Sequence, residues 1–347
     1  MTLLNTYEAA LFVAILSFLC LGSWANSFKL SRWRFELTFL DFVLGLLLMS
    51  VILAFTAGNF GYDSFTFLDD LMHTGKRNLL YGFAAGGILN LGYILLAGGM
   101  SLTGMALAFP LWAGMAMAVG SLAELFSRSQ ASPALVYSGA AALAMSVVMS
   151  AATHRSLSLR REFEKMKAGT HRTLRPAIQW KGVVLCVCGG IVAASAAPVM
   201  DLAREGELGL GPYALGFLVA FGAFCSTILY DVYFMSLPVK GEPLEPTAYL
   251  RGAWKQHLWG VLGGAVWAVG IIGALVIEAS PGAASGNAAV FATVGRAFPL
   301  LAAAWGILVW KEFRAADMKV ASFMAVTLSV FAAGIVLIGI GLSRAGG

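Results

Sequence analysis

Residues 296–313, RAFPLLAAAWGILVWKEF, place an arginine and, three positions on, a proline inside an apolar stretch running from Ala288 to Trp310. A charge near the middle of a membrane span costs about 2.5–3.5 kcal/mol on insertion scales, and a helical proline removes a backbone hydrogen bond. If the stretch is a membrane span, both residues need a reason to be there. Whether it is one is decided by the rest of the chain.

The chain has 347 residues, 59% of them hydrophobic and 12% charged, with a mean hydropathy of +0.81, far from the composition of a soluble domain. The expected class is an all-α integral membrane protein. Apolar runs are continuous over about 20 residues and do not alternate, which argues against a membrane β-barrel. The forty glycines suit helices whose backbones approach closely. Cys20, Cys186, Cys188 and Cys225 all fall inside apolar runs, without metal or redox spacing, and read as small core residues. No Lys or Arg precedes the first apolar run, so that run is expected to stay as the first helix.

Ten spans are expected, near 8–26, 35–57, 78–98, 103–124, 133–153, 181–200, 212–236, 257–278, 288–310 and 319–341. The polar segment 154–180 falls between spans 5 and 6 and divides the chain into halves, 1–153 and 181–347. The loops after spans 1, 3, 5, 7 and 9 carry 17 Lys and Arg, and the other side carries 5. By the positive-inside rule the basic linker is cytoplasmic and both termini face outward, across an inner or plasma membrane.

The halves repeat. Ala108-Phe109-Pro110 in span 4 recurs as Ala297-Phe298-Pro299 in span 9, and Gly86-Gly87 in span 3 as Gly263-Gly264 in span 8. Both matches join span n to span n+5. Five helices per unit force the second copy to insert upside down, so the expected architecture is ten transmembrane helices as two inverted five-helix repeats. Pro110 and Pro299 would then loosen equivalent helices, freeing carbonyls that are tolerated where they line a wet cavity.

Several blocks resemble known transporters. Gly22-Ser23-Trp24-Ala25-Asn26-Ser27-Phe28-Lys29, Arg34-Phe35-Glu36-Leu37-Thr38-Phe39-Leu40-Asp41, Ala85-Gly86-Gly87-Ile88-Leu89-Asn90, Gly104 to Pro110 and Pro299 to Phe313 are similar to the ureide permease and glucose/ribose porter families. The resemblance implies the drug/metabolite transporter superfamily, whose ten-helix members include sugar, ureide and nucleobase carriers.

The expected function is secondary active transport of a small polar solute, a sugar or a ureide or nucleobase, by alternating access and with proton coupling. The rival on the same fold is a drug or metabolite exporter with an apolar cavity. The expected substrate contacts are Trp24, Asn26, Asn90, Tyr93, Phe109, Pro110, Trp112, Trp267, Arg296, Phe298, Pro299 and Trp305. Asn90 and Trp267 would pair through the repeat to hold a flat solute. Arg296 would bind substrate or an acidic gating residue. Asp41 and Asp231 lie more than a turn inside their spans, where a carboxylate loses water, and are the proton-coupling candidates. Glu36, Glu124, Glu278 and Glu312 read as span boundaries. Trp33 and Trp310 read as interfacial anchors. His73, His154, His171 and His257 lie in loops or at span ends and form no catalytic set with acids, so no enzyme, cofactor or metal is expected. The expected partners are the bilayer, the solute and protons, without nucleic acid, for a monomer or homodimer.

Overall fold

The apolar runs are helices in the computed structural model, which describes residues 2–60, 66–127, 132–167, 180–284, 288–314 and 316–343. The first span is α1 (Tyr7–Ser23) with the short α2 (Asn26–Ser31), and the second is α3 (Phe35–Phe55). After α4 (Phe67–His73) come α5 (Lys76–Thr103), α6 (Met105–Ser127), α7 (Pro133–Lys167), α8 (Trp180–Arg204) and α9 (Pro212–Ser236). The short α10 (Thr247–Leu250) precedes α11 (Trp254–Glu278), and α12 (Pro281–Ala284) follows it. The ninth span is built in pieces: α13 (Ala288–Arg296), α14 (Phe298–Ala304) and a π-helical turn (Trp305–Val309). The tenth is α15 (Met318–Ser343). Among the described residues, ten helical segments are long and apolar enough to cross a bilayer, and large apolar side chains such as Phe12, Leu48, Val148 and Ile228 point outward. This is a multi-pass membrane protein.

Local signals place several boundaries. The Thr6 side chain caps α1, Thr66 and Asp69 form a reciprocal capping box on α4, and Pro212 begins α9, where its missing N–H costs nothing. Gly104, at φ +88°, lets α6 start directly after α5 in a conformation that would strain any side-chain-bearing residue. The expected linker is partly helical, since α7 continues to Lys167; residues 168–179, with Arg172 and Arg175, lie outside the described residues.

Backbone contact organises the bundle. A Cβ added at Gly264 of α11 would stand 1.7 Å from the Phe42 carbonyl oxygen of α3, and one at Gly45 of α3 2.0 Å from that of Val261. At the crossing of α5 and α9, a Cβ at Gly86 would stand 2.2 Å from the Val219 oxygen and one at Gly222 2.0 Å from that of Phe83. Only glycine permits either approach. Elsewhere α5 packs on α8 and α11 on α1, while α6 packs on α7 and α13 on α15. α6 also packs on α8, and pairs α3·α9, α6·α14 and α7·α15 add to the assembly.

Two expectations need correction. The prolines behave differently: Pro110 sits inside an uninterrupted α6, whereas the helix breaks at Ala297 and Pro299 lies in the first turn of α14. Of the cysteines only Cys186 is buried, and Cys188 is exposed on the apolar exterior.

Candidate functional site

Where α1, α3, α5, α6 and α11 converge, the core is aromatic. Trp24 lies 4.9 Å from Phe42, 5.6 Å from Tyr93 and 5.9 Å from Phe109 between ring centroids, and Tyr93 is 4.9 Å from Trp112 and 5.1 Å from Trp267. Edge-to-face and tilted rings of this kind leave flat, electron-rich walls. Between Phe42, Asn90, Tyr93, Ala223 and Trp267 is a crevice of about 10 Å³, the size of a single water. The indole N–H groups of Trp24 and Trp267 are buried without a hydrogen-bond acceptor among the described residues. Trp267 Nε1 lies near the Tyr93 hydroxyl without forming a regular hydrogen bond to it. Buried indoles ordinarily find a partner, so two such donors in one aromatic cage mark an unfilled demand for acceptors.

Other expected contacts are occupied by the protein itself. The Asn90 amide donates to the Ala223 carbonyl and to Ser226 and Thr227 of α9, at 3.0, 2.9 and 2.9 Å, so it fixes α5 to α9 while its side chain borders the crevice. Trp112 donates to Gly92 O at 3.0 Å, and Trp305 to Ser23 Oγ at 3.0 Å. Asn26 accepts from Trp310 at 2.7 Å, so Trp310 is a brace across the bundle and not only an anchor. Phe109, Pro110, Phe298 and Pro299 are buried, with Phe109 in the cage wall. Arg296 forms a forked pair with Glu124 of α6 at 2.9 and 3.0 Å, both side chains about a quarter exposed, and also donates to Ala292 O. The charge in the opening sequence stretch is therefore held by an ion pair, and Glu124 is its partner and not a mere boundary.

The loops after spans 1, 3, 7 and 9 meet on one side, called here the basic side. Glu312 is the hub. Its carboxylate takes Lys29 at 2.8 Å and the backbone N–H groups of Met105 and Ala106, at the start of α6, at 2.9 and 2.8 Å. Its backbone carbonyl accepts from Arg161 at 2.5 Å. The preceding Lys311 has φ +51°, a conformation costing a non-glycine residue about 1 kcal/mol, held by these contacts. Asp41 is the second focus. It accepts from Tyr249 at 2.5 Å and faces His257 Nδ1 at 3.0 and 3.1 Å, and is not paired with Lys29 or Arg32. Tyr249, outside the spans, is held above the ordinary phenol range by burial first, then by its bond to Asp41 and the charges of Asp41 and Asp231. Asp231 is buried with neither oxygen hydrogen-bonded, and Glu36 and Asp41 are close enough for their charges to act on it. Glu36 itself is buried and paired with Arg34 at 2.8 Å.

The opposite side is cross-linked as well. Asp70 of α4 accepts from Gly211 N at 3.1 Å, Asn78 donates to Ala203 O, and Arg204 meets Glu278 at 2.7 Å. A hollow of about 240 Å³ there, bordered by Asp70, His73 and Glu207, lies outside the spans and apart from the cage.

Residues 38–177 match the family model described as Ureide permease. The chain resembles the ureide permeases along nearly its whole length. It is 23% identical to Ureide permease 1 of Arabidopsis thaliana, covering 95% of this chain and 96% of the relative, and 23% identical to Ureide permease 2 of the same plant, covering 92% and 93%. Ureide permease 5 aligns at 22% identity over 97% of this chain. These relatives are named as permeases, a class of transporter and not of enzyme. Sequence reasoning missed His257, Tyr249, Glu124 and Glu312. Their partners are up to 216 positions away, and the only local signal was a polar residue at a span end.

Proposed function

We propose that the chain is a secondary transporter carrying a ureide, a small flat solute rich in urea and amide groups, through the aromatic cage, and that the Asp41 and Asp231 region couples it to protons. The observation carrying this reading is the pair of buried indole N–H groups, Trp24 and Trp267, without acceptors. Urea carbonyls are strong planar acceptors, and the flat faces of the solute stack on Phe42 and Tyr93. A purely apolar solute, as the exporter reading requires, would leave both donors unsatisfied, at a cost of about 1–3 kcal/mol each. The permease relatives carry ureides in their names, which favours the same substrate over sugar.

The two-sided closure supports alternating access within the drug/metabolite transporter superfamily. The crevice is too small for any ureide, so binding requires one side to open. Two inverted five-helix repeats, 1–153 and 181–347 around the 154–180 linker, account for the packing: exchanging span n with n+5 turns the α3·α11 crossing into α9·α5. The equivalent glycines are then Gly86 and Gly264, one residue from the Gly86 to Gly263 match of the sequence, so Asn90 corresponds to Ala268 and not Trp267. The basic side faces the cytoplasm by its charge.

Titrating the purified protein with allantoin, while following tryptophan fluorescence, tests the site. Saturable quenching by allantoin, weakened in Trp267→Phe and absent with glucose, is expected. Equal responses of wild type and both Trp24→Phe and Trp267→Phe would remove the cage from the account.

A further inference from the structure

Asp41 is nearly sealed from water. Its side chain is 2% exposed, while the His257 imidazole beside it is 27% exposed. His257 Nδ1 faces both Asp41 oxygens at 3.0 and 3.1 Å, and Tyr249 closes the other approach at 2.5 Å. The ring is held edge-on to Trp33 at 5.0 Å and to Tyr249 at 4.7 Å between centroids. At its outer nitrogen the chain carries no side chain to cover it, since a Cβ at Gly252 would stand 2.6 Å from Nε2. An imidazole with one nitrogen on a buried carboxylate and the ring reaching toward solvent has the geometry of a proton carrier, and histidine changes charge near neutral pH.

We infer that His257 is the proton-exchange residue of the coupling site, passing protons between water on the basic side and Asp41. The step is balanced within the pair. A proton from water binds Nε2 of the neutral, Nδ1-protonated ring, the Nδ1 proton passes to an Asp41 oxygen, and the ring is left neutral with its proton on Nε2. The net change is one proton moved from solvent to Asp41; release runs in reverse. The charged and titratable groups facing this pair are Tyr249 of α10, Asp231 of α9, which lies within range of the Asp41 charge, and the nearby Glu36–Arg34 pair. Tyr249 holds Asp41 in place, and Arg34, donating to Glu242 O at 2.7 Å, ties the loop before α10 to the start of α3.

This inference rests on the proton-coupled reading, yet it can be tested without substrate. In purified protein subjected to pH jumps between about pH 4 and 9, the infrared carboxylic acid band lost in Asp41→Asn reports protonation of that residue. In His257→Asn the amide N–H can still donate to Asp41 but cannot relay a proton. This variant is expected to slow the appearance of the band by roughly 100-fold. A purely positioning role would leave the rate at its wild-type value, and that result, or the absence of any Asp41 band in the wild type, overturns the inference. His257→Gln gives the same readout if the Asn variant does not fold. In proteoliposomes both variants should retain exchange of labelled for unlabelled allantoin and lose gradient-driven accumulation. A wild type that transports no ureide but shows the His257-dependent band would defeat the transport reading and leave this one standing.

Discussion

Trp24 and Trp267 differ from the other tryptophans of the core in one respect: Trp112, Trp305 and Trp310 each reach an acceptor in the protein, and these two do not. Replacing either with Phe keeps most of the apolar volume but removes the donor together with part of the buried indole ring system. If each makes one hydrogen bond to the solute, Trp24→Phe or Trp267→Phe should raise KM for a ureide about tenfold, alongside the modest loss of thermal stability that the lost ring volume brings. Trp112→Phe should lower the melting temperature further than either, because Gly92 O also loses its donor. Asp70 makes a pH-dependent prediction. Burial raises its carboxyl above the ordinary range, with the Gly211 N–H pulling the other way. Above its unfolded value the unfolded chain ionises first, so stability falls as pH rises through the window from about 4 to the raised value. Asp70→Asn should therefore melt higher than wild type at pH 7 and match it near pH 4. A lower melting temperature at pH 7 would show that the charged contact to Gly211 outweighs the burial.

At the scale of elements, two devices hold the bundle. Glu312 joins the turn after the ninth span to Lys29 and to the start of α6, where a carboxylate also meets the positive end of the helix. Glu312→Ala would leave Lys29 and two backbone donors unpaired and should destabilise by about 3 kcal/mol, whereas Glu312→Gln should lose less. The glycine crossings are the second device. Gly86→Ala and Gly264→Ala should both disrupt folding, by comparable amounts if the two halves are equivalent, while Gly120→Ala, with open space around it, should be neutral. Melting curves of the three variants decide this. A harmless Gly264→Ala beside a damaging Gly86→Ala would break the equivalence.

Over the whole molecule, the positions of the ten spans were legible because hydropathy reports directly which segments leave water. The aromatic cage was partly legible, through Trp24, Tyr93, Phe109 and Trp267. The charge partners were not: Asp41 with His257, Arg296 with Glu124 and Glu312 with the start of α6 are joined only when distant spans meet, and no periodicity encodes that. Asn90 shows the same limit, since its amide looked available until α9 supplied three acceptors for it. Both sides of the bundle are cross-linked by ionic or carboxylate contacts, and the crevice bordered by Trp267 is about 10 Å³. The measurement closest to the central claim is uptake of labelled allantoin into proteoliposomes, with and without an inward proton gradient, by wild type and Trp267→Phe. The account predicts gradient-stimulated accumulation by the wild type and a strongly weakened apparent affinity in the variant. Folded wild-type protein that accumulates no allantoin under either condition would contradict it.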